Sequence, residues 1–128
     1  MLLSTDWEKE YGLPADVIKG GLSISGLFDL SPLRYSWLQP TLLLSHEIIQ
    51  QQSPQFFVPD QAPPLMLTAG GEEPPEFQRQ SADYHQAWLA KGLTSQHAPL
   101  QGKNHFDALD GFLDTESPLM GMLKQLRA

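Results

Sequence analysis

The strongest constraint on this chain is a pattern that occurs twice in its second half: a short run of strand length, apolar in the first case, then a turn built on glycine, and an ionisable residue just beyond. Leu65-Met66-Leu67-Thr68 passes through Gly70-Gly71 to Glu72 and Glu73, and the run from Thr94 to Leu100 passes through Gly102-Lys103-Asn104 to His105. Short apolar runs bounded by turn residues suit strands buried within a sheet. Between them, from Pro75 to about Lys91, Phe77, Tyr84 and Trp88 fall on one stripe, with Gln78, Arg79, Gln86 and Lys91 elsewhere and Gly92 as terminator. That is the 3.6-residue period of an amphipathic helix. Strand, helix, strand makes a crossover that sets two parallel strands side by side, so both ionisable residues are expected at the same edge of the sheet.

The rest of the chain extends this plan. Val17-Ile18-Lys19-Gly20-Gly21-Leu22-Ser23-Ile24-Ser25-Gly26 reads as a further buried strand bounded by glycines. Met1 to Trp7 reads as the end of a helix, with Glu8 to Gly12 as a polar exit that Gly12 and Pro14 prevent from continuing. Asp29 to Leu44, rich in Leu, Trp and Pro, has no sustained period, and Ser45 suits the cap of a short helix that Ser53-Pro54 ends near Gln52. Ser117-Pro118 starts a closing helix with Leu119, Leu123 and Leu126 as its buried stripe. The expected class is α/β: one partial domain over residues 1–128, with about three parallel strands, flanking helices and an irregular cap-like segment at about 29–60.

Composition narrows the function classes. A chain of 128 residues with 41% apolar content can bury a core, and its net charge of −7 with only eight scattered basic residues opposes a nucleic-acid surface. The absence of cysteine excludes disulfides, a thiol nucleophile and thiolate metal sites, and fits a reducing compartment. No run approaches the roughly 20 apolar residues of a membrane span, and no signal peptide is visible, so the expected location is the cytoplasm.

Glu73 and His105 are the candidate catalytic pair. A histidine that moves protons needs a partner to fix its tautomer and stabilise its charged form, and a carboxylate on the adjacent strand end does both. Spacing alone leaves Glu72 as a competitor, since both glutamates also suit the favourable amino end of the following helix. His46, His85 and His97 read as surface or packed histidines, and their spacing is not that of a zinc helix, so neither metal nor cofactor is expected. Gly21-Leu22-Ser23-Ile24-Ser25 nearly spells a nucleophile elbow but lacks its last glycine, and no helix start follows. Ser23 and Ser25 therefore read as strand residues, with Ser25 a lesser candidate for lining a pocket.

Three motifs, taken together, resemble the C-terminal half of alpha/beta hydrolases of the kynurenine formamidase (arylformamidase) and related carboxylesterase group. They are Ile18-Lys19-Gly20-Gly21-Leu22 through Ser25-Gly26-Leu27-Phe28-Asp29-Leu30; Gly70-Gly71-Glu72-Glu73 with Glu76-Phe77-Gln78-Arg79-Gln80-Ser81; and Asn104-His105-Phe106-Asp107. The resemblance spans nearly the whole chain and implies a mostly parallel sheet, hydrolysis of an aryl formamide or ester through an acyl-enzyme, Glu73 as acid and His105 as base. Two parts of the family pattern are absent from these residues: the His-Gly-Gly oxyanion strand and the Gly-x-Ser-x-Gly elbow. Met1 to Trp7 resembles the helix directly after that elbow.

Three roles follow as expectations. The chain is the C-terminal portion of a serine hydrolase, or a non-catalytic remnant that binds a small aromatic ligand or partner chain, or one half of an enzyme whose serine comes from a separate chain. The expected partners are a small-molecule substrate and an N-terminal half or second copy, with no nucleic acid and no membrane.

Overall fold

The structure, a computed structural model, describes residues 2–127. Among these, β1 (Gly21–Ile24), β2 (Leu65–Thr68) and β3 (Ser95–His97) form one parallel sheet in the order β1-β2-β3. Gly21 pairs with Leu65 and Leu65 with Ser95, so all three strands deliver their carboxyl ends to one edge. Five α-helices accompany them: α1 (Trp7–Tyr11), α2 (Gln39–Leu42), α3 (His46–Gln52), α4 (Pro75–Ala90) and α5 (Pro118–Arg127). The chain resolves into an α/β arrangement, with no helix among the described residues long and apolar enough to cross a membrane.

Central position explains why β2 is apolar without alternation. Leu65 and Leu67 pack with Phe28, Tyr84 and Trp88 on the face that α4 covers. On the face that α5 covers, Leu22 and Ile24 of β1 meet Leu100, Ala108 and Leu119. With both faces covered, all four β2 residues are buried, as parallel strands require. Trp88 is fully buried, Phe28 stacks on Tyr84 at 4.2 Å, and each large apolar side chain so buried contributes about 2–3 kcal/mol.

Several expectations are corrected. The opening segment is no helix end: Met1 lies outside the described residues, Leu2–Ser4 is a single 3₁₀ turn, and the helix begins at Trp7. Asp6 is the reason, since its side chain caps the helix by accepting the Lys9 N–H at 3.0 Å, and Glu8 to Tyr11 become helix body up to left-handed Gly12. β1 is half-buried rather than buried, because β2 borders only one of its edges. β3 stops at His97, although the N–H groups of Ala98 and Leu100 still donate to the Leu67 and Ala69 carbonyls and a single bridge pairs Gly70 with Leu100; Pro99 falls between them, at a position whose missing N–H would face away from β2. In α5 only Leu119 is fully buried, with Leu123 and Leu126 partly covered.

The segment between β1 and β2 carries a 3₁₀ turn at Ser31–Tyr35, α2, α3 and a 3₁₀ turn at Pro54–Phe56. Ser45 caps α3 by accepting the Ile48 N–H at 3.1 Å, and Ser53 follows its last turn.

Candidate active site

The loops leaving β2 and β3 are joined backbone to backbone. Leu100 N–H donates to the Ala69 carbonyl at 2.9 Å, Gly71 N–H to the Leu100 carbonyl at 2.7 Å, and Glu72 N–H to the Lys103 carbonyl at 2.9 Å. Approach this close requires glycine at position 70. A Cβ there would stand 2.9 Å from the Lys103 carbonyl carbon and closer still to its oxygen, a contact real Cβ atoms do not make. Thr68 adds a tie, its hydroxyl donating to the Ala98 carbonyl at 2.6 Å.

This joint turns Glu73 inward. Its side chain has no exposed surface, and Oε1 accepts the Gly70 N–H at 2.7 Å and the Ser25 hydroxyl. Oε2 lies 2.9 Å from Nδ1 of His105. Burial alone pushes the Glu73 carboxyl up, but the hydrogen bonds from Ser25, His105 and the Gly70 amide, with the charge of His105, outweigh it and hold the group below the usual carboxylate range. An ionised carboxylate only accepts, so Nδ1 must be the donor, which leaves Nε2 of the neutral ring to accept a proton from elsewhere. Glu72, the competitor, is exposed.

His105 is set by its own loop. Asn104 Oδ1 accepts the Phe106 N–H at 2.8 Å, while Asp107 Oδ1 accepts the Asn104 N–H at 2.5 Å, a reciprocal Asx arrangement that fixes the turn. The Phe77 ring, from the first turn of α4, lies 5.1 Å from the imidazole, and exposed Phe106 meets it edge-on at 5.9 Å. The histidine side chain remains about half exposed, at 51%, beside a carboxylate at 0%. One partner is fixed in the interior and the other reaches outward, an arrangement suited to general acid–base catalysis.

Three further residues hold this edge, and sequence reasoning gave them no such role. Ser25 is not a strand residue: it follows β1 with a left-handed φ of +53° and turns its hydroxyl onto Glu73. Gln80, buried on α4, accepts the N–H groups of Phe28 and Asp29 at 2.7 and 2.8 Å and donates to the Asp29 carbonyl at 2.9 Å, pinning the chain after β1. Gln78 donates to the Gly70 carbonyl. The only prior signal was that all three lie in the motifs Ser25 to Leu30 and Glu76 to Ser81. His46 opens α3, and Ser23 lies within β1. His85 contacts Ser95 Oγ at 2.9 Å and lies 6.0 Å, ring to ring, from His97, while no cluster of three potential metal ligands exists among the described residues.

Fold and site together define an α/β chain with a carboxylate–histidine pair at the carboxyl edge of a parallel sheet. Kynurenine formamidase of Danio rerio is 27% identical to it over 131 residues, an alignment covering 98% of this chain and 44% of that protein. Kynurenine formamidase of Salmo salar is 27% identical over 132 residues with the same coverage, 98% and 44%. No family model matches the sequence. The chain spans somewhat under half the length of these curated relatives, and it resembles the C-terminal half of an arylformamidase.

Proposed function

We propose that this chain carries the acid, Glu73, and the base, His105, of a serine hydrolase acting on an aryl formamide or carboxylic ester in the cytoplasm. The observation that carries the reading is the 2.9 Å contact between His105 Nδ1 and the buried Oε2 of Glu73. In this role His105 Nε2 takes the proton of a serine hydroxyl as that oxygen attacks the carbonyl carbon, then returns it to the departing arylamine or alcohol. Glu73 stays ionised and stabilises the imidazolium between those steps. These 128 residues contain no Gly-x-Ser-x-Gly elbow, so the hydroxyl and the oxyanion donors come from residues outside them. The free edge of β1 is where an N-terminal half, or a second copy, adds its strand.

Co-expression with a segment bearing the elbow tests this. The chain alone is expected to show no turnover of aryl formamides or aryl esters and no fluorophosphonate labelling. The assembled pair is expected to show both, with turnover reduced at least about a thousandfold by His105→Ala. Labelling of Ser23 or Ser25 in the chain alone, or turnover indifferent to His105, would refute the proposal.

A second reading, a non-catalytic remnant that binds a small aromatic ligand or a partner, draws on the exposure of Tyr35, Trp37 and Phe106. Saturable binding of an aromatic formamide by a chain that never gains turnover with a serine-bearing partner would favour it.

A further inference from the structure

We propose that Ser25 is a positioning residue for the acid: its hydroxyl locks the Glu73 carboxylate in the orientation that serves His105. The proposal rests on the reading of Glu73 and His105 as acid and base and adds the element that fixes them. A carboxylate presented to an imidazole can rotate about its last bond and exchange oxygens. Here one oxygen is claimed twice, by the Gly70 N–H at 2.7 Å and by the Ser25 hydroxyl, so only Oε2 remains for Nδ1 of His105. The two claims come from different directions. Gly70 belongs to the loop of Glu73 itself, whereas Ser25 stands 48 residues away at the end of a neighbouring strand.

The backbone at Ser25 supports the assignment. Its N–H continues the ladder of β1 by donating to the Thr68 carbonyl at 2.8 Å. Then, at φ +53°, the chain takes the left-handed conformation that glycine adopts freely and other residues adopt at a cost. Gly26 is the next residue in the chain, yet the left-handed position is occupied by a serine. A strained conformation held by a side chain that contacts a buried functional group points to a use for that side chain. The use is electrostatic as well as steric. Each hydrogen bond to the ionised form offsets part of the penalty of burying a carboxylate, and a Glu73 protonated by burial could not stabilise an imidazolium.

The test is a ¹³C NMR titration of the Glu73 side-chain carboxyl in the wild-type chain and in Ser25→Gly, Ser25→Ala and His105→Ala. Glycine removes the hydroxyl while relieving the backbone, so Ser25→Gly is expected to melt cooperatively even where Ser25→Ala folds poorly. In it the Glu73 carboxyl gains about three- to tenfold in proton affinity, because one donor to the charged form is gone. The His105 Nδ1 proton resonance broadens as the carboxylate rotates. A Glu73 titration and an Nδ1 resonance both unchanged in a folded Ser25→Gly chain would overturn the proposal while leaving the pair itself standing. His105→Ala separates the two ideas: if it leaves the Glu73 titration where it was, the acid–base reading fails whatever Ser25 does.

Discussion

The carboxyl edge of β2 and β3 and the long connection from β1 to β2 are built on opposite terms. At the edge, short backbone hydrogen bonds join two loops, Gly70 allows a contact no other residue permits, and a carboxylate is buried with a partner for each oxygen. In the connection, Tyr35, Trp37 and Leu43 stand 88%, 86% and 71% exposed, and the helices have four and seven residues. Chemistry that depends on tenths of an ångström belongs where the structure is over-determined. Tyr35, at the end of a 3₁₀ turn, and Trp37, in the turn before α2, are under no such constraint.

Two tryptophans give this contrast its largest test. Trp88→Ala removes a fully buried ring from beneath the sheet and should cost about 3–5 kcal/mol in a urea melt. Trp37→Ala, in the connection, should stay within about 0.5 kcal/mol. Equal losses would erase the distinction between the two regions.

Next in size is Gly70→Ala. Its new Cβ meets backbone atoms of Lys103 that cannot swing away, so a loss of about 2–3 kcal/mol is expected, together with separation of the acid and histidine loops. Gly92→Ala offers a contrast, since Gly92 has a positive φ of +73°, which Gly70 does not, and nothing within 4 Å. There only the backbone conformation is strained, at a cost of about 1 kcal/mol.

The smallest effect is a dependence on pH. Because Glu73 is held below its ordinary value of 4.5 in the native chain, the unfolded chain takes up the proton first as acid is added. The contribution of Glu73 to stability is therefore complete above about pH 4.5 and lost as the pH falls through the lower native value. Chemical melts from pH 6 to pH 3 should show this loss, and Glu73→Gln should remove it.

What could be read in advance was local. The runs at Leu65 and Thr94, the turns after them and the helix between required only periodicity and glycine positions, and they were enough to bring Glu73 and His105 to one edge. Alternation around the Gly70-Gly71 turn and the resemblance then both favoured Glu73 over Glu72. Burial of β1 was misjudged because it depends on what lies beside the strand, which a local apolar run does not reveal. Ser25 escaped because a left-handed φ in a non-glycine residue has no local signature, and Gln80 because its partners at Phe28 and Asp29 lie about fifty residues away. Tertiary contacts of polar side chains leave little trace in an apolar pattern.

The central claim is that a buried, ionised Glu73 fixes the proton of His105 on Nδ1 and leaves Nε2 as the base. Long-range ¹H–¹⁵N correlation of the imidazole at a pH where the ring is neutral reads this directly. The account requires a protonated Nδ1 and a bare Nε2 in the wild-type chain, with that tautomer lost in Glu73→Ala. A proton on Nε2 in the wild type, or a tautomer indifferent to Glu73, would contradict it.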